Sequence, residues 1–129
     1  MNMMERRAVL QVTDNPDRSL DYVVTLAGKL PACNHAQSIM LRYIPDRKIL
    51  DAAAFAKYLE AVGKAKWDSP EDLAVTVLTD VNNEIIGRWM QISLSTPDEH
   101  SPITTHGVVL EDRQPGWDNP SLMGRLERI

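Results

Sequence analysis

Residues 38–59, SIMLRYIPDRKILDAAAFAKYL, change from one hydrophobic period to another, and the elements on either side have to accommodate that change. In residues 38–44, Ile39, Leu41 and Tyr43 fall on one face and Met40, Arg42 and Ile44 on the other. A period of two belongs to a strand with a buried face. Pro45 ends it, because proline donates nothing to a ladder and biases the preceding residue toward extended geometry. Beyond the turn, Ala52, Phe55, Leu59 and Val62 recur at three- and four-residue spacing, which is the period of a helix face. Alanines in its first turns let such a helix lie close on a sheet. Asp51 stands at the entrance, where a carboxylate caps free N–H groups and meets the positive end of the helix dipole.

The flanking segments extend this pattern. Residues 8–13 read as a short extended piece, separated from the next segment by the turn chemistry of Asp14, Asn15, Pro16 and Asp17. Residues 20–27 alternate Leu20, Tyr22, Val24 and Leu26 against Asp21, Val23 and Thr25, so they predict a strand that Gly28 closes. Residues 28–37 then form a loop holding Pro31, Cys33, Asn34 and His35, which returns the chain to the next strand as an antiparallel neighbour. After the first helix, Ser69, Pro70, Glu71 and Asp72 supply a cap, a proline at the first helical position and acidic residues in the first turn. Leu73, Val77, Leu78, Val81 and Ile85 continue the stripe, and Gly87 is expected to end that helix in the left-handed conformation. Residues 88–95 alternate again, and residues 104–110 form a second extended run. The tail from Glu111 onward has no clear period.

Composition excludes several classes. A chain of 129 residues, 43% hydrophobic and 25% charged, fits one globular domain, with its core at about residues 20–112. A net charge of −4 without any basic run argues against direct nucleic-acid or anionic-membrane binding. The single cysteine, Cys33, forms no internal disulfide, the N-terminus MNMMERRAV lacks an apolar signal core, and no apolar stretch approaches membrane-spanning length. These features place the chain in the cytoplasm. There is no internal repeat and no phosphate-binding glycine loop.

The predicted order is strand, strand, helix, helix, strand, strand. It gives an α+β fold: a four-stranded antiparallel sheet, ββααββ, with both helices on one face. Such a sheet has two open edges, and pairing them with other subunits, as a homo-oligomeric ring or barrel, removes the hazard they pose.

Three stretches carry a resemblance to a known family. Asp21-Tyr22-Val23-Val24 is similar to the first strand of the NADPH-dependent 7-cyano-7-deazaguanine reductases of queuosine biosynthesis, whose tunnelling (T-) fold is shared with GTP cyclohydrolase I. Residues 42–48, Arg-Tyr-Ile-Pro-Asp-Arg-Lys, resemble the family's second strand and turn. Lys57-Tyr58-Leu59 and Glu71-Asp72 resemble its two helices. Together these span residues 15–95, and the Tyr-Ile-Pro-Asp turn is the most specific part.

The resemblance implies a planar deazaguanine-, purine- or pterin-like ring bound where subunits meet, its guanidine edge gripped by a carboxylate from the first helix. Asp51 falls at that position, where the family has glutamate; the residue reads equally as a helix cap. Glu71 matches a second acidic residue used near the substrate, although the family's adjacent histidine is Pro70 here; it reads otherwise as a dipole partner. The family's chemistry needs a thiolate that adds to the nitrile, an aspartic acid that moves protons, and NADPH as hydride donor. Cys33 lies in the corresponding loop, with His35 two residues on as a candidate base. That loop is shorter here, and no aspartate lies between Gly28 and Tyr43. Ala52-Ala53 replace a Ser-Lys pair, and the region of Pro97, Asp98 and Glu99 replaces an Arg-Gly-Gly, both of which would have met NADPH phosphates.

His100 and His106 flank Pro102 without ligand-spaced cysteines or carboxylates, so no metal is expected. Trp67, Trp89 and Trp117 are too scattered for a stacking platform. Two functions are compatible with these residues: a divergent enzyme acting on a deazapurine- or pterin-type ring, or a T-fold subunit that has lost catalysis and serves as a binding or scaffold partner.

Overall fold

The computed structural model describes residues 2–32, 35–97 and 102–126; for residues 31, 32 and 35 it describes the backbone alone. In chain order the elements are α1 (Met3–Val9), β1 (Val12–Asp14), β2 (Val24–Ala32), β3 (His35–Ile44), β4 (Lys48–Leu50), α2 (Ala52–Gly63), α3 (Pro70–Ile85), β5 (Trp89–Pro97), β6 (Thr105–Arg113) and α4 (Pro120–Met123). β2, β3, β5 and β6 lie side by side in that order as an antiparallel four-stranded sheet, and β1 and β4 form a separate antiparallel pair. The architecture is therefore α+β.

The alternation in the central strands places the core. Ile39, Leu41 and Tyr43 of β3 stand opposite Leu94, Ile92 and Met90 of β5, and all six are buried. They pack with Phe55, Tyr58, Leu59 and Val62 of α2 and with Leu73, Val77, Val81 and Ile85 of α3, so both helices cover one face. Asp51 caps α2 by accepting from the Ala54 N–H at 3.0 Å. Ser69 caps α3 by accepting from the Asp72 N–H at 3.1 Å, with Pro70 at the first helical position.

Several boundaries differ from the sequence reading, each for a physical reason. Gly28 does not end β2 but sits in its middle, opposite Ile39, where an added Cβ would make only ordinary contact with Leu59 Cδ1 at 3.9 Å, so the strand runs through it. Residues 28–32 are consequently strand rather than loop, and Pro31 is tolerated because β2 is an edge strand. The alternation at residues 20–23 is not strand: Leu20 is 55% exposed, and the Tyr22 hydroxyl donates to Asn15 Oδ1 at 2.6 Å. Ala8 and Val9 belong to α1 rather than to an extended segment. The left-handed residue after α3 is Ile86, at φ 44°, and not Gly87. Gly87 answers a different need, since a Cβ there would lie 3.2 Å from the Trp89 carbonyl oxygen and 3.3 Å from that of Ile44.

The Tyr-Ile-Pro-Asp turn is fastened by Arg88. Its guanidinium donates to Asp21 Oδ1 at 2.8 Å, to Asp46 Oδ1 at 3.3 Å, and to the carbonyls of Arg18 and Leu20. The aperiodic tail joins the same cluster: Gln114 donates to Asp46 Oδ2 at 3.1 Å, and Asn119 to Asp21 Oδ2 at 2.9 Å.

Candidate functional site

Because β2 and β3 are antiparallel and joined through residues 33 and 34, their connection marks one end of the sheet. The end of β5 and the start of β6 lie at that same end, with Thr96 opposite His106. The N-terminus of α3 stands over it, since Glu71 Oε1 pairs there with His106 Nε2. At the opposite end β3 finishes at Ile44, and Leu50 N–H donates to the hydroxyl of Tyr43 at 2.9 Å. Asp51 comes immediately after, so the structure separates the two acidic candidates.

Asp51 is exposed, and its Oδ2 is taken up by the Ala54 N–H of the helix cap. A cleft of about 330 Å³ opens beside α2, between that helix and the free edge of β2, lined by Leu26, Leu30, Ala52, Phe55, Leu59 and Glu60. The lining is largely apolar, and the edge strand behind it has no partner on its outer side within the four-stranded sheet. Cys33 lies outside the described residues, as does the side chain of His35, whose backbone opens β3 at the Glu71 end.

Glu71 belongs to the exposed first turn of α3, and the hydrogen bond from His106 holds its carboxyl below the usual range, with a bond to its own backbone N–H adding to the effect. An ionised carboxylate only accepts, so the imidazole carries its proton on Nε2. Thr96, just 4% exposed, lies beside His106 in the register, and its hydroxyl has no hydrogen-bond partner among the described residues. Sequence reasoning considered His106 only as a metal ligand and overlooked Thr96. Counting back by two from Val108 and Leu110, which pack against the core, puts His106 on the helix-covered face; that is the signal that could have found it.

Among the described residues no group of three or more His, Cys, Asp and Glu side chains could hold a metal ion. Nor is any helix among them long and apolar enough to cross a membrane.

Comparison with known proteins places the fold first. The chain shares the architecture of the archaeosine synthase QueF-Like in its apo form, with a TM-score of 0.56 over 70% of this chain and 90% of that one, at 17% identity. No protein-family model matches the chain. Two curated relatives, from two strains of Acidithiobacillus ferrooxidans, are each named NADPH-dependent 7-cyano-7-deazaguanine reductase. Each is 26% identical over 133 residues, covering 93% of this chain and 88% of the relative. The chain is similar to these reductases along most of its length.

Proposed function

We propose that the chain is a single-domain T-fold subunit that binds a planar deazaguanine-, purine- or pterin-like ring where copies meet, and that it has diverged from nitrile reduction. The observation that carries this reading is the placement of Glu71. It stands on α3, paired with His106, at the end of the sheet where β2 stops at Ala32 and β3 starts at His35, on either side of Cys33 in sequence. Exposed edges at β2 and β6, with the apolar cleft beside β2, support pairing of copies into a ring or barrel. Asp51, at the other end of its own chain, would reach a shared pocket from a neighbouring copy.

Nitrile reduction needs a thiolate that adds to the nitrile carbon to give a thioimide, an acid to deliver protons, and a hydride source. Cys33 is the nucleophile candidate and His35 its base. Two residues separate β2 from β3, and no aspartate lies among residues 29–42, so the proton-moving acid of the related enzymes has no counterpart there. The relatives are named NADPH-dependent. In this chain Ala52 and Ala53 stand exposed at the start of α2 and carry no side-chain donor or charge for a phosphate, so these side chains do not fit the cofactor. The same alanines and the short connection favour the second reading, a subunit without catalysis that serves as a binding or scaffold partner.

The test is incubation with 7-cyano-7-deazaguanine, monitoring the absorbance band of a thioimide and then NADPH consumption. The expected result is binding with little or no turnover, and a Cys33→Ala variant that folds and assembles like the wild type. Robust NADPH-dependent turnover that disappears in Cys33→Ala would restore full reductase chemistry and overturn the divergence.

A further inference from the structure

We propose that His106 is a positioning residue for Glu71, holding that carboxylate in the orientation that reads the adjacent N–H groups of a 2-amino-pyrimidinone edge. The inference rests on Glu71 binding the ring as proposed, gives it the edge that the resemblance assigned to Asp51, and names a residue that this role had not included.

A glutamate in an exposed first turn has three rotatable side-chain bonds, and the bonds it takes locally, from its own backbone N–H and from Ser69, do not by themselves hold it against the sheet. Here the fixing group comes from another element. His106 enters from β6, 35 residues away in sequence, and its Nε2–H donates to Glu71 Oε1. Both side chains keep access to solvent, at 42% for His106 and 54% for Glu71, so a ligand can reach the pair. An ion pair this exposed adds little to folding stability. Its geometric effect is larger: one carboxylate oxygen is anchored, and the remaining lone pairs point in a defined direction. Two parallel N–H donors, such as the ring N–H and exocyclic amino group of a guanine-like or pterin-like edge, suit a carboxylate held in this way.

Thr96 is an independent sign that this end of the sheet is built for a polar ligand. It lies in the same cross-strand row as His106 and faces the helix-covered side, where its buried hydroxyl is unspent among the described residues. Buried hydroxyls without a partner are costly, and a heterocycle edge entering beside Glu71 would bring one.

The test uses the full chain in its native assembly, with calorimetric titration of two probes. One is 7-cyano-7-deazaguanine, and the other is its analogue lacking the exocyclic amino group. The wild type is expected to prefer the first. His106→Ala should weaken that ligand by about tenfold, the size of one charge-assisted hydrogen bond, and reduce the preference by a similar factor. His106→Gln, whose amide N–H can still donate to Glu71, should recover part of both, and all variants should melt like the wild type. If Glu71→Gln loses affinity but His106→Ala keeps both affinity and preference, the positioning role is wrong while the ring-binding role of Glu71 stands. Equal weakening of both probes in His106→Ala also overturns it, since that marks general packing. No binding of either probe by the wild type would refute the ring-binding role and the positioning role together.

Discussion

Asp80 offers a quantitative test of how α1 is held. Its side chain, 2% exposed on the inner face of α3, accepts from Arg6 Nε at 2.9 Å, Arg7 Nε at 3.0 Å and the Tyr58 hydroxyl at 2.7 Å. Burial, and then the hydrogen bond and charge of Asp80, push the Tyr58 phenol far above its usual range. No residue of α1 is itself buried, and seven residues are too few for a helix to persist alone, so its docking depends heavily on these two arginines. Asp80→Ala removes three charge-assisted bonds and leaves the Tyr58 hydroxyl buried without its acceptor. The arginine side chains, 19% and 21% exposed, regain water in part. The net loss should be about 3 kcal/mol, below the sum of three full bonds because of that rehydration. For a chain of this size it corresponds to a fall in melting temperature of roughly 10 °C. Tyr58→Phe alone should cost about 1.5 kcal/mol, and a double-mutant cycle should show the two changes coupled by about 1 kcal/mol. Hydrogen exchange gives the local readout: in Asp80→Ala the amides of α1 should lose protection while those of β3 and β5 keep theirs. A loss under about 1 kcal/mol with α1 still protected would refute the reasoning.

Three further outcomes are expected. Arg88 helps hold two carboxyls below their usual range, behind Asn119 at Asp21 and Gln114 at Asp46. Burial raises Asp21, but bonds from Asn119 and Arg88 outweigh it; a bond from Gln114 lowers Asp46, with Arg88 adding its charge. Depressed carboxylates contribute stability above the unfolded-state value near 4, and that contribution is lost as pH falls, so the gap between wild type and Arg88→Met in denaturant titrations should narrow at lower pH. Gly87→Ala should destabilise by about 1–2 kcal/mol in the same assay, because its methyl meets two backbone oxygens that cannot move aside; a neutral effect would contradict the packing described at that site. Light scattering at micromolar concentration should report an oligomer, and a monomer would refute the pairing of sheet edges.

Much of the frame could be read from local chemistry. The alternation of residues 38–44, the caps at Asp51 and Ser69, and the stripe from Leu73 to Ile85 all report interactions within a few residues, and the structure repeats them. The features that escaped the sequence depend on distant partners. Gly28 and Pro31 look like breakers in isolation; β3 on one side and an open edge on the other make them tolerable within β2. The helix at Met3–Val9 lacks a stripe of its own and is secured by a carboxylate more than seventy positions away. Of the candidate site, Glu71 was singled out by the resemblance alone, since its place in a capped first turn reads equally as a dipole partner. Its partner His106 was not, because their contact joins a helix start to a strand start through the tertiary fold alone.

The opposite directions of α2 and α3 have a consequence for how a binding event would be felt. Their N-termini, marked by Asp51 and Glu71, lie at opposite ends of the sheet, so if both carboxylates serve one ring, as proposed, they must come from two copies. A ring gripped by both carboxylates would then act as a cross-link between neighbours, and ligand affinity and subunit association would be two readings of one equilibrium. Dilution would weaken binding, and saturating ligand would hold the assembly together at concentrations where the free subunits drift apart.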